Sequence, residues 1–181
     1  MQLTNPALCI AGHSRGGAVA TSVLAALLGG KLKKGGQDKL KKGSTLGLLL
    51  IDPVDDGATT SLRQLSQTLE ELGSSTPVPV KTLIVSTSFG GYSSYYKTKI
   101  ANACAPEQRN APAFRDSFAK LRLASGMTYL DAPELGHLQL LDEAVLGSPY
   151  SSACARNAAP VEGRRQKVHE QISLWLRSLF S

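Results

Sequence analysis

Apolar residues in this chain fall into short continuous runs and spaced stripes, and the two alternate. Ala7 to Ala11 (ALCIA), Leu46 to Ile51 (LGLLLI), Val80 to Ser86 (VKTLIVS) and Met127 to Leu130 (MTYL) are runs of strand length. An apolar run of that length without polar alternation is what a strand buried on both faces looks like. Between the runs the period becomes helical. Ala18 to Leu28 is rich in small residues and stops at Gly29-Gly30, and Ser61 to Leu72 puts Leu62, Leu65, Leu69 and Leu72 on one face before Gly73. Phe114, Phe118, Leu121 and Arg122 fit a third helix, and Gly163 to Phe180 carries Val168, Ile172, Trp175 and Leu179 on one side. Strands alternating with helices predict an α/β fold: a parallel sheet of about four strands with right-handed crossovers and helices on both faces. With no repeat and no linker, residues 1–181 are expected to belong to one domain.

Composition adds limits. No apolar run approaches the roughly 20 residues that a membrane-spanning helix requires. Residues 1–6 have neither a charged region nor an apolar core ahead of a cleavage site, so no address is read from them. The formal charge of +6 is concentrated: residues 31–42 hold six lysines against Asp38, and the rest of the chain is near neutral. Gly29, Gly30, Gly35 and Gly36 flank or interrupt that run, and no aromatic residue stands in it to stack a base. It reads as a solvated surface loop, with weak peripheral attraction to an anionic membrane as the alternative; no nucleic-acid partner is expected. Cys9, Cys104 and Cys154 are too few and too scattered for a disulfide framework or a zinc site. Cys9 lies in an apolar run and reads as a small core residue, while Cys104 and Cys154 could pair.

The chemistry begins at Gly12-His13-Ser14-Arg15-Gly16-Gly17, between a strand and a helix. This is a G-x-S-x-G nucleophile elbow in the context it requires. The turn forces Ser14 into a strained conformation that lifts its hydroxyl off the sheet, and Gly12 and Gly16 are expected to be glycine because a Cβ would collide with the neighbouring elements. The N–H of Arg15, at the start of the helix, is the expected oxyanion donor. A serine hydroxyl needs a base to remove its proton, and the base needs an orienting carboxylate. Asp52 directly follows the second strand, with Pro53 behind it, and is the candidate acid; Asp55 and Asp56 compete with it. The third strand, ending Ser86-Thr87-Ser88, offers no carboxylate. Of the three histidines, His137 lies in a loop after the fourth strand, where a triad base belongs. His13 is inside the elbow but points away from the hydroxyl, and His169 is within the last helix.

GHSRGG, then LIDPVDDG, a strand running into SFGG, then ACAP and LGHLQLLDE, in that order, resemble the chlorophyllase family over about Leu8 to Cys154. The resemblance implies an α/β-hydrolase fold with Ser14 as nucleophile, Asp52 as acid and His137 as base. It further implies hydrolysis of the phytyl ester of chlorophyll to chlorophyllide and phytol, no metal or organic cofactor, a hydrophobic ester as the small-molecule partner, and a chloroplast location. Cys104 and Cys154 fall where that family also has cysteines.

Residues 31–44 form a lysine- and glycine-rich insertion relative to the family pattern. The chain also begins at the elbow strand, so residues 1–181 are read as the C-terminal portion of a hydrolase domain whose N-terminal strands are missing. The loop that supplies a second oxyanion N–H would be absent, at a cost of about 10²–10³ in kcat. The elbow strand would then be an exposed, aggregation-prone edge, and the chain is expected to be poorly soluble and weakly active. A different lipase or esterase with the same triad, or an inactive remnant, are the alternatives.

Overall fold

The computed structural model describes residues 7–30, 45–55, 61–72, 80–89, 111–121, 126–136, 140 and 162–180. His137, Asp56, Cys104, Cys154, Gly90-Gly91 and the lysine-rich residues 31–44 lie outside the described residues. The described chain runs β1 (Ala7–His13), α1 (Arg15–Leu28), β2 (Thr45–Ile51), α2 (Ser61–Glu71), β3 (Val80–Phe89), α3 (Ala111–Lys120), β4 (Met127–Gly136) and α4 (Glu162–Ser178). The strands form one parallel sheet in the order β1-β2-β3-β4. This is the α/β architecture that the alternating apolar pattern predicts.

Strand alternation divides the core. Leu46, Leu48 and Leu50 of β2 and Ile84 of β3 pack on one face with Ala20 and Leu24 of α1, Leu65 of α2, and Phe114 and Phe118 of α3. Leu49, Leu83 and Val85 turn to the other face and meet Val168, Ile172 and Trp175 of α4. Both faces of β2 are therefore covered, which is why its sequence is apolar without alternation. Gly47 is the exception that lets α4 approach: a Cβ there would stand 2.5 Å from Leu179 Cδ1. Lys81 Nζ donates to the Ser178 carbonyl at 2.6 Å, placing a cation at the C-terminal end of α4, where the exposed carbonyls favour positive charge.

Boundaries depart from the sequence pattern in instructive ways. Helix α1 starts at Arg15 rather than Ala18, because the change of direction is confined to Ser14 and both following glycines are helical. Helix α3 starts at Ala111 with Pro112 in its first turn, where the missing N–H costs nothing. On α2 the buried stripe is Ser61, Leu65 and Thr68, and Leu72 lies past the helix end, half exposed. At the sheet's other limit β1 pairs only with β2 among the described residues, and Leu8, Val19 and Val23 are exposed beside that edge.

Phe114 and Phe118 stack with ring centroids 6.4 Å apart and are fully buried. Replacing Phe118 by Ala is expected to cost about 3–5 kcal/mol in chemical denaturation, through lost transfer energy and an unfilled cavity. Leu8→Lys places a charge at an exposed position on the outermost strand of the described sheet and is expected to reduce concentration-dependent association in light scattering while leaving the circular dichroism spectrum unchanged.

Candidate active site

β1 ends at His13, whose register partner is Ile51, so the tips of β1 and β2 are level. Ser14 follows at φ 55° and ψ −128°, backbone that a side-chain-bearing residue rarely adopts and that costs about 1–3 kcal/mol. Hydrogen bonds fix it from both sides. Its N–H donates to the Ile51 carbonyl at 3.0 Å, and its carbonyl accepts from Gly17 N–H at 2.9 Å and from Val54 N–H at 3.0 Å. Ser14 occupies the N-cap of α1 yet makes no side-chain capping bond, so its hydroxyl is not spent on the helix. The helix N-terminus opens directly behind it, with Arg15 as its first residue and the side chain of Arg15 exposed.

Crowding at the turn falls on Gly12, as expected, and on Gly17 rather than Gly16. A Cβ on Gly12 would stand 2.1 Å from the Gly16 carbonyl oxygen, an impossible approach to rigid backbone. A Cβ on Gly16, by contrast, meets nothing within 4 Å. The collision assigned to Gly16 belongs to Gly17, where a Cβ would lie 2.6 Å from Pro53 Cβ. Two glycines thus let the elbow close, one against its own helix and one against the turn after β2.

That turn holds Asp52. Its φ of 43° is left-handed, a region Asp tolerates better than most residues, and it is 6% exposed. Asp52 N–H donates to the Val85 carbonyl at 2.7 Å. Its carboxylate accepts from Thr87 on β3, at 3.3 Å from the backbone N–H and 2.5 Å from the hydroxyl. Asp55, also buried, accepts a hydrogen bond from the Ser61 hydroxyl at 3.0 Å and so ties the turn to the start of α2.

The structure therefore brings Ser14, Arg15 and Asp52 to neighbouring strand tips at the C-terminal edge of the sheet. His137 lies outside the described residues. The carbonyl of Leu140 is 3.0 Å from His169 Nε2, so His169 links α4 to the chain just beyond residue 137. His13, half-buried, is the last residue of β1.

Thr87 was not singled out by sequence reasoning, although the strand tip lacking a carboxylate was the signal. Neither was Tyr129, on the other face of β3 and β4. It is hydrogen-bonded to Ser86, and Arg115 lies 5.0 Å above its ring. Burial, ahead of the neighbouring charges, raises the Tyr129 phenol above its ordinary pKa. Cys9, packed against the α4 side of the sheet, is likewise held above the usual thiol value by burial. Among the described residues no three His, Cys, Asp or Glu side chains gather as a metal site would need. None of the described helices is long and apolar enough to cross a membrane.

A model of the Chlorophyllase family matches residues 2–177, nearly the whole chain. No curated protein and no solved structure matches.

The steric contrast at the elbow is testable. Gly12→Ala is expected to cost about 3 kcal/mol or more, at the upper end of overpacking effects. Gly16→Ala is expected to leave the melting temperature unchanged or raised, since alanine is the better helix former and its Cβ enters open space.

Proposed function

The chain belongs to the chlorophyllase family, and from that premise we propose that it is a serine carboxylic-ester hydrolase that cleaves the phytyl ester of chlorophyll. The observation that best supports this reading is the backbone of Ser14, strained at a strand–helix turn with its hydroxyl uncommitted to capping, beside a buried carboxylate on the adjacent strand tip. Asp52 is favoured over Asp55 as the acid because it directly follows β2, level with the end of β1, and its carboxylate is held at the tip of β3, whereas Asp55 lies further into the turn and is bonded to the first residue of α2.

In this mechanism His137 takes the Ser14 hydroxyl proton as the oxygen attacks the ester carbonyl, and Asp52 stabilises the imidazolium. The tetrahedral oxyanion accepts from the Arg15 N–H, reinforced by the dipole of α1. Collapse breaks the bond to the alcohol oxygen, which leaves as phytol with the proton from His137. Water, deprotonated by His137, then attacks the chlorophyllide acyl–Ser14 ester. A second collapse returns the proton to Ser14 and frees the chlorophyllide carboxylic acid. Neither step calls on a cofactor. The proposed location is the chloroplast, and the lysine-rich residues 31–44 are proposed to make weak contact with an anionic membrane surface, where so apolar a substrate resides.

Incubation with chlorophyll a and, in parallel, a p-nitrophenyl ester tests the reading by chromatography of released chlorophyllide and by absorbance. Chlorophyllide is expected from the parent chain, and Ser14→Ala should lower its formation by about 10⁴–10⁶. Cleavage of the p-nitrophenyl ester alone would point to a different esterase. Hydrolysis that survives Ser14→Ala would remove the serine mechanism altogether.

A further inference from the structure

Asp52 is held by β3 at both its backbone and its side chain. The last register pair between β2 and β3 is Ile51↔Val85. Beyond it β2 turns away, and the next hydrogen bond runs from Asp52 N–H to the Val85 carbonyl. Two residues further along β3, Thr87 N–H has lost a backbone partner on β2, and Asp52 Oδ1 takes its place at 3.3 Å. Asp52 Oδ2 is bound more tightly, by the Thr87 hydroxyl at 2.5 Å. The register between β3 and β4 is irregular from Thr87 to Phe89, and such irregularities commonly re-aim a side chain. Threonine suits the position because its branched Cβ restricts rotation about χ1, which fixes the direction in which the hydroxyl points.

We propose that Thr87 is a positioning residue for catalysis, engaging both oxygens of Asp52 so that the plane of its carboxylate is fixed relative to the base. This rests on the reading of Asp52 as the triad acid. The backbone N–H alone, at 3.3 Å, is a weak restraint on rotation of the carboxylate. The hydroxyl supplies the second point that defines its plane. An acid free to turn orients its histidine poorly, and misplacement by about 1 Å costs about a hundredfold in rate.

The test is steady-state kinetics on the ester substrate for Thr87→Val, Thr87→Ala, Thr87→Ser, Asp52→Asn and the Asp52→Asn/Thr87→Val pair, with folding checked by circular dichroism. Thr87→Val and Thr87→Ala are expected to lower kcat about tenfold to a hundredfold with KM unchanged. Thr87→Ser, which keeps the hydroxyl, should recover most of that loss. In the Asp52→Asn background Thr87→Val should cost little more, because the group it positions is already gone. A folded hydroxyl-free variant with parental kcat, an additive loss in the double variant, or failure of Thr87→Ser to recover activity would overturn the proposal. So would failure of both Val and Ala variants to fold, which would make the role structural. Parent hydrolysis that does not depend on Ser14 would instead refute the triad reading, so the two failures are distinguishable.

Discussion

The backbone of Ser14 is the constraint on which the remaining geometry depends. At φ 55° and ψ −128° it stores strain of about 1–3 kcal/mol, and three hydrogen bonds, each worth about 1 kcal/mol, hold it there. Two of them come from the segment around the end of β2, the Ile51 carbonyl and the Val54 N–H. The elbow is therefore not a property of GHSRGG alone. It is completed by the turn that carries Asp52, and Gly17 against Pro53 is the contact that lets the two segments close.

The sheet extends this coupling. With strands in sequential order and level tips, the turns after β1 and β2 are neighbours, and β3 supplies the donors that Asp52 accepts. Burial of β2 on both faces keeps its end from shifting, since Leu48 and Leu50 are locked among α1, α2 and α3, and Leu49 meets α4. Precision at the tips thus derives from core packing well below them, as close-packed interiors transmit displacement rather than absorb it. The left-handed backbone of Ser14 and Asp52, side by side, is the local strain that this packing sustains.

Much of this was legible in the residues. Continuous apolar runs located the four described strands, most plainly β2, because a parallel strand covered on both faces leaves no polar alternation to blur it. The elbow was legible because its strained turn demands a small set of residues. What escaped was what depends on contact. Gly16 and Gly17 are indistinguishable in a motif, and only packing shows that a Cβ at Gly16 is free while one at Gly17 strikes Pro53. The buried stripe of α2 includes Ser61 and Thr68, which an apolar count skips. Thr87 escaped because its role lies in a bond to a residue 35 positions away, and a lone threonine at a strand end carries no pattern.

The most direct test of the central claim is a crystal structure of the chain after reaction with a phosphonate ester. The account predicts phosphorus bonded to Ser14 Oγ, the phosphonyl oxygen within hydrogen-bond reach of Arg15 N–H, and the His137 imidazole between the Ser14 oxygen and the Asp52 carboxylate. Phosphorus on another residue, or a His137 ring beyond hydrogen-bond reach of both Ser14 and Asp52, would contradict it.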